Sequence, residues 1–435
     1  MYRELDLHLT AEQVALKEAV HQFAAKVLRP TSAALDRVAD PSDVVAERSP
    51  LWRALRETYR LGYHRYAIAA ELGGFGLSAF EQHIVLEEMG WGSADLASAI
   101  AVAGLPFAIL AQTGNPALIG EFVRPFVADP EARHLGCWAI TEPEHGSDAL
   151  MIGTPQFHDP RSAGELIARR DRDYYVLTGR KSAWVANGTI ATHALVFLTL
   201  DPGRGMAGGG VAFVPLHLRG VSRGKPLDKM GQRALNQGEI IFDEVRIPET
   251  QMLTDPSLYE FILGRTLAMA YAVTAAIFTG VARAAYESAF DYARQRVQGG
   301  RAISEHQLVQ KRLFDMFTRV EACRALSRSA MVYNHATMPP ATEYSIAAKT
   351  FCSEAALEVT SSALQLFGGR GLSREYPIEK LFRDARASLI QEGSNDILAL
   401  VAARRLLESA AHVPGGRAPR GRLGRVEPPV GIAGG

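Results

Sequence analysis

The hydrophobic period of this chain changes twice, and that restricts the folds open to it. Apolar residues recur at helical spacing up to about residue 132, alternate in short runs from about 133 to 250, and return to helical spacing from 251 to 412. In the first stretch Leu16, Val20, Phe23, Ala24 and Val27 share one face of a helix that Thr10 and Gln13 open as a capping box, with Pro30 just past its end. Further helical runs cover Leu51–Tyr59, Ala79–Glu88 and Asp95–Ala111. In the second stretch Tyr174–Thr178, His193–Leu200, Val211–Val214 and Glu239–Val245 read as strands with no helices between them, so their sheet should be largely antiparallel. In the third, Thr266–Arg296, Gln307–Tyr333, Ala341–Phe367 and Asn395–Ala410 read as helices. The expectation is an α+β fold. It comprises an N-terminal helical domain (1–132), a central antiparallel β-barrel or sandwich domain (133–250), a C-terminal helical bundle (251–412) and a disordered, Gly/Pro/Arg-rich tail (413–435).

Charge and composition narrow the partners. Lys and Arg number 47 against 47 Asp and Glu, so no net field draws the chain toward nucleic acid or anionic membrane. Two long apolar stretches, Leu96–Ala111 and Thr266–Ala282, are shorter or less apolar than a spanning helix and read as buried core. The start, MYRELDLHLTAEQ, carries acidic residues and no apolar core of a signal peptide. Cys137, Cys323 and Cys352 are too scattered for a disulfide framework and point to a reducing, cytoplasmic setting. No His-x-x-x-His spacing suggests a metal. The segment Gly203-Arg-Gly205-Met-Ala-Gly208 spells GxGxxG, but a strand follows it rather than a helix, so it reads as a loop between strands and not as a dinucleotide fingerprint.

Four segments carry chemistry. CWAITEPEHGSD (Cys137–Asp148) ends an extended run in a polar turn whose backbone amides near Gly146 and Ser147 suit phosphate or carbonyl oxygens. LTGRKSAWVANG (Leu177–Gly188) offers an indole, Trp184, that can lie on a planar ring. QLFGGRG (Gln365–Gly371), running into EYPIEKLFRD (Glu375–Asp384), has paired glycines that let a ligand approach the backbone. QEGSNDI (Gln391–Ile397) sets a glutamate beside a glycine just before a helix that Ser394 could cap, so Glu392 is a candidate general base.

In this order and on this helix–sheet–helix pattern, the four segments resemble the acyl-CoA dehydrogenase family of FAD flavoproteins, from about Leu9 to Leu407. LDKMGQRALNQGEIIFDEVRIPE (Leu227–Glu249) and YARQRVQGGRAISEHQLVQ (Tyr292–Gln310) add to the likeness. The resemblance implies α,β-dehydrogenation of an acyl thioester, on CoA or a carrier protein, with Glu392 as the α-proton base and flavin N5 as the hydride acceptor. It implies FAD contacts from Trp138, Ile140, Thr141, Gly146, Ser147, Trp184, Val185, Ala186, Ser394 and Asp396, with Arg296, Gln365 and Gly369 offered to the FAD of a neighbouring subunit. Ser147, Tyr271, Gln391 and Gly393 would meet the substrate. A homodimer or homotetramer and an electron acceptor such as an electron-transfer flavoprotein are implied as well. The same fold also serves flavin-dependent oxidases or N-oxygenases and non-catalytic binding members, which stand as alternatives.

The chain departs from the family pattern at several positions. Ala186 stands where the family usually has Ser or Thr bonding flavin N5, Gly299 where it has a Phe, and Gln391 where it has an aromatic before the base. Ala268 and Tyr271 occupy positions where an acidic residue and an arginine often face the substrate. The stretch Gln156–Asp173 is long and carries Arg161, Arg169, Arg170 and Arg172, read either as a solvated surface insertion or as a contact for a phosphopantetheine group or carrier protein.

Overall fold

The capping box at Thr10 forms as the sequence predicts. Gln13 N–H donates to Thr10 Oγ1 at 3.2 Å, and Thr10 N–H donates to Gln13 Oε1 at 3.1 Å. It opens helix α1 (Ala11–Phe23) in a computed structural model that describes residues 9–411, with side chains through 408. The tail predicted for 413–435 and the first eight residues lie outside the described residues. The rod does not stop before Pro30. A π-turn, Ala24–Leu28, leads into α2 (Arg29–Leu35), where Pro30 falls in the first turn and its missing N–H costs no helical bond.

Helices α3 (Pro50–Arg60), α4 (Ala79–Gly92) and α5 (Ala94–Gln112) complete the N-terminal part. Strands β1 (Gly136–Ala139), β2 (Ile167–Asp171), β3 (Tyr174–Lys181), β4 (His193–Thr199), β5 (Gly209–Pro215), β6 (Val221–Arg223), β7 (Ile240–Pro248) and β8 (Met252–Thr254) form one sheet in the order β6-β7-β3-β2-β4-β5-β8, with β1 also on β4. Most pairs are antiparallel; β1 and β2 run parallel to β4 and share one of its edges. Then come α6 (Tyr259–Gln295), α7 (Gln307–Ala336), α8 (Thr342–Phe367), α9 (Ile378–Ser388) and α10 (Asn395–Ala411). The α+β fold read from the sequence is therefore the one observed.

Three local readings change. Helix α6 begins seven residues earlier than Thr266 and ends at Gln295, so Arg296 is its extended C-cap rather than its last helical residue. Strand β2 lies inside the arginine-rich stretch and joins β3 by a two-residue turn at Arg172 and Asp173. Its charges are matched locally: Arg161 pairs with Asp159 at 2.6 Å, Arg170 with Glu249 at 2.7 Å and Asp171 with Arg246 at 2.7 Å. The GxGxxG stretch lies between strands as read, but it winds into 3-10 turns over Pro202–Gly208 before β5; at Gly205 (φ +64°) a Cβ would lie 2.4 Å from the Asp159 carbonyl.

Strands β4 and β5 are buried along their whole length, because both faces of the sheet are covered. Ala194, Val196 and Leu198 face one apolar cluster, while Leu195, Phe197 and Trp138 face another built with Leu263 and Leu267 of α6 and Leu398 of α10. Helices α5 and α6 are long and apolar enough to cross a membrane, but 78% and 67% of those windows are buried inside the protein, as core helices are.

Helices α4 and α6 cross with their backbones in contact. A Cβ on Gly90 would sit 2.1 Å from the Ile277 carbonyl oxygen, and one on Gly280 would sit 2.1 Å from that of Glu87. Around the crossing, buried Arg283 donates to Glu87 at 2.8 Å and to Glu88 at 2.7 Å, and Arg324 of α7 donates to Glu87 at 2.8 Å. Against the cost of burial, Arg324 and Arg283 hold the Glu87 carboxyl well below the usual carboxylate range. Gly280→Leu should lower stability by about 2–3 kcal/mol or more, since no rotamer clears the facing carbonyl. Gly120→Ala, where a Cβ meets nothing within 4 Å, should change it little. Denaturant midpoints of the two variants check this.

Candidate functional site

Glu392 owes its position to a tight reversal between α9 and α10. Gln391 N–H donates to the Ala387 carbonyl at 2.9 Å, and Asn395 N–H reaches back to Leu389 at 2.9 Å. The chain turns through two left-handed residues, Glu392 (φ +56°) and Gly393 (φ +100°). Glycine suits the second position on space as well, since a Cβ there would lie 2.7 Å from Leu150. A glutamate at positive φ is uncommon, and such backbone persists where the surroundings hold it.

Two contacts do that holding. Ser394 N–H donates to Ser147 Oγ at 3.0 Å, tying this turn to the Cys137–Asp148 loop, so two of the sequence motifs meet. From α8, the buried Lys349 ammonium donates to the Gly393 carbonyl at 2.8 Å and to Asn395 Oδ1 at 2.7 Å. The sequence reading missed Lys349: in the run SIAAKTF it looks like an ordinary helix charge. Burial pulls its pKa down to about 8, against the attraction of Glu392 and Glu354. Burial likewise pushes Glu392 up to about 7, with Lys349 opposing. Glu392 keeps part of its surface open to a cavity, yet enough protein surrounds the carboxyl to disfavour its charge.

That cavity, about 160 Å³, lies between α5 and α6 and draws on all three parts of the chain. Ser98 and Leu105, Trp138, Ala268 and Val273, and Gln391 with Glu392 are among its walls. Tyr271 is not among the lining residues. It is buried in the core behind them, and burial followed by the Glu392 charge raises its phenol pKa.

The residues matched to a flavin fall into two groups. The first surrounds the mouth of the Cys137–Asp148 loop. Thr141 Oγ1 and Ser182 Oγ share a hydrogen bond at 2.8 Å, and Ser182 N–H donates to the Thr141 carbonyl at 2.9 Å, so this loop and the one bearing Trp184 lie side by side. Buried Glu142 fastens the pair through Lys181 at 2.7 Å. Ile140 is half-buried, Gly146 is exposed, and the Trp184 indole is 61% exposed, an unusual state for so large an apolar ring. Val185 is buried in the sheet core, while Ala186 is half-buried and bridges Gln237 through its backbone. Asp396 is exposed in the first turn of α10. An exposed indole next to a polar, glycine-containing loop fits a planar heterocycle.

The second group gathers elsewhere. Arg296, Gln365 and Gly369 line an open cavity of about 1090 Å³, with Tyr292 and Phe367 stacked at 4.1 Å in its wall. Gly299 (φ +62°) and Gly300 (φ +81°) make the hairpin turn between Val297–Gln298 and Arg301–Ala302. Two positive-φ residues in that turn account for glycine where a Phe is otherwise common.

Three family descriptions match in chain order: acyl-CoA dehydrogenase N-terminal domain over residues 10–129, middle domain over 137–245 and C-terminal domain over 262–407. The mitochondrial short-chain specific acyl-CoA dehydrogenase of Bos taurus is 32% identical over 411 residues, 94% of this chain and 93% of that protein. Butyryl-CoA dehydrogenase from Megasphaera elsdenii superposes with a TM-score of 0.81 at 28% identity, covering 93% of this chain and 100% of that one. A chain from a structural study of the electron transferring flavoprotein of Acidaminococcus fermentans gives 0.80 at 28% identity, covering 93% and 100%. The three-part architecture, the ordered motifs and these likenesses agree: the chain belongs to the acyl-CoA dehydrogenase family, and it is an oxidoreductase of that flavoenzyme class.

Proposed function

We propose that the chain carries out FAD-dependent α,β-dehydrogenation of an acyl thioester, with Glu392 as the base. The observation that carries this is a carboxyl on the wall of an otherwise largely apolar cavity, with a pKa raised to about 7 by burial. Such a group is about half ionised at neutral pH and a stronger base than an ordinary carboxylate. The α-proton passes to the Glu392 carboxylate, and the β-hydrogen leaves on the opposite side as a hydride. When bound, FAD supplies the two-electron acceptor, flavin N5, for that hydride. The backbone amide of Glu392 is this chain's candidate donor to the thioester carbonyl as enolate charge develops. Lys349, behind the turn, fixes the base and offsets its charge without touching the substrate. Ala268, Val273 and Leu105 exclude water from the reacting carbons.

Trp138, Ile140, Thr141, Gly146, Ser147, Trp184, Val185, Ala186, Ser394 and Asp396 would hold the flavin half of FAD. Arg296, Gln365 and Gly369, gathered apart from them, would serve the FAD of a second copy, which implies a homodimer or homotetramer. An electron-transfer flavoprotein is the proposed acceptor, in keeping with the neighbour described above. A carrier-protein thioester remains a substrate type alongside CoA, but the arginines of 156–173 lend it little, since Arg161 and Arg170 already pair with acidic neighbours.

Glu392→Gln should keep FAD and lose turnover by roughly 10²–10⁴-fold with a thioester that bleaches the native flavin anaerobically; full turnover would remove the assignment. The native kcat/KM should fall on a single ionisation as pH drops through about 7. Lys349→Met should move that limb upward, because the opposing positive charge is gone. Stability should respond with the opposite sense. A carboxyl whose folded pKa is raised weakens folding progressively from pH 4.5 to about 7 and by a constant amount above. Thermal unfolding should therefore find Glu392→Gln more stable than the native protein at pH 8, with the gap closing near pH 4.5.

A further inference from the structure

The wall beside the base is polar and held in one orientation. Gln232 Nε2 lies 3.2 Å from the Asp384 main-chain carbonyl and 3.0 Å from the Gln391 amide. A main-chain carbonyl can only accept, so Gln232 must present its NH₂ group there. Its second hydrogen then points at Gln391, which must present its oxygen in return. The ambiguity of amide orientation is thereby resolved by the network itself. The Gln391 NH₂ group faces the other way, toward the cavity that Gln391 lines and toward Ser98 Oγ at 3.5 Å, at the long limit of a hydrogen bond.

The orientation is anchored in depth. Gln232 N–H donates to Asp384 Oδ1 at 2.5 Å. Lys380 joins Asp384 Oδ2 at 2.5 Å and Asp95 Oδ2 at 3.1 Å, and Asp95 accepts from Ser32 at 2.8 Å and from Ala234 N–H at 3.1 Å. Gln232, Asp384 and Asp95 are each no more than 3% exposed. An apolar wall would close this side of the cavity more simply. A fixed amide donor with one long contact, next to the base, has capacity for a ligand acceptor.

The chemistry of that acceptor is restricted by its neighbours. A carboxylate on the acyl chain would lie beside the Glu392 carboxylate and be repelled, and the arginine of the cavity wall, Arg265, is held by Gln112, fourteen residues along α5 from Ser98. An ammonium would be drawn to Glu392 but has no lone pair to accept from the Gln391 amide. Lys349 does not supply a counter-charge on this side, since its ammonium is engaged behind the turn by Gly393 and Asn395. Resting on the dehydrogenase reading above, we infer that the preferred acyl group carries an uncharged oxygen (ether, hydroxyl or ketone) a few bonds from the α-carbon, and that the Gln391 amide selects it.

Matched thioesters test this: hexanoyl-CoA against 5-oxahexanoyl-CoA, and heptanoyl-CoA against 6-oxaheptanoyl-CoA, each reducing the flavin of the native holoenzyme anaerobically. In at least one pair the oxygen-bearing member should show a kcat/KM higher by about three- to tenfold, the effect of one well-placed hydrogen bond. Gln391→Leu should reduce that ratio to about one or below. Gln391→Met, which keeps the chain length, replaces it if the leucine variant loses FAD. The inference is overturned if the hydrocarbon member is equal or better in both native pairs, or if the oxygen preference survives loss of the amide. Failure of every thioester to reduce bound flavin would instead sink the dehydrogenase reading, and this inference with it.

Discussion

Everything around the cavity depends on how closely α4 and α6 approach. At Gly90 and Gly280 the two helices touch backbone to backbone, nearer than any side chain would permit. Helix α6 is 37 residues long and serves both ends of the arrangement: it meets α4 at the glycines, and its Ala268–Ile277 stretch forms one cavity wall. Ile277 does both, presenting its carbonyl to Gly90 and its side to the cavity. The surrounding Glu87–Arg283–Arg324 cluster is a costly way to fill space. Buried ion pairs are often no more stabilising than apolar packing, but they penalise every misaligned docking of the helices.

The base illustrates a second balance. Burial pushes Glu392 toward its neutral form, while a direct ion pair would make it a weaker base. Lys349 stands between these limits. Its hydrogen bonds go to Gly393 and Asn395, so its field reaches Glu392 while its protons do not. The left-handed backbone at Glu392 has the same logic, since an uncommon conformation is kept at a residue of the cavity wall.

What the sequence disclosed follows from the range of each interaction. Helices with caps and a clean period were readable because the signal is local: Thr10 with Gln13 marks α1, and the run read at Ala79–Glu88 marks α4, which extends to Gly92. Strand β2 was not, because Ile167–Asp171 carries two exposed arginines and its alternation is short. Helix α9 hid inside a motif that was read for its glycines. The flavin-loop and base positions were legible through resemblance, and Ser147 and Ser394 do come together. Lys349 was missed, and Tyr271 lies behind the cavity wall rather than on it, for one reason. Their meaning depends on burial against residues far along the chain, which spacing does not encode. The same holds for Asp95, whose partner Lys380 is 285 positions away.

The amide wall at Gln391 is assembled from all three parts of the chain: Asp95 from the first, Gln232 from the second, Lys380 and Asp384 from the third. Its orientation is thus a readout of their mutual docking. If the first part loosens, Asp95 no longer holds Lys380 and the glutamine is released to rotate, while the base stays held by Lys349 of the third part and Ser147 of the second. Discrimination between acyl groups is therefore more fragile than chemistry in this scaffold. Heat or mild denaturant should make such a molecule promiscuous before it makes it inactive.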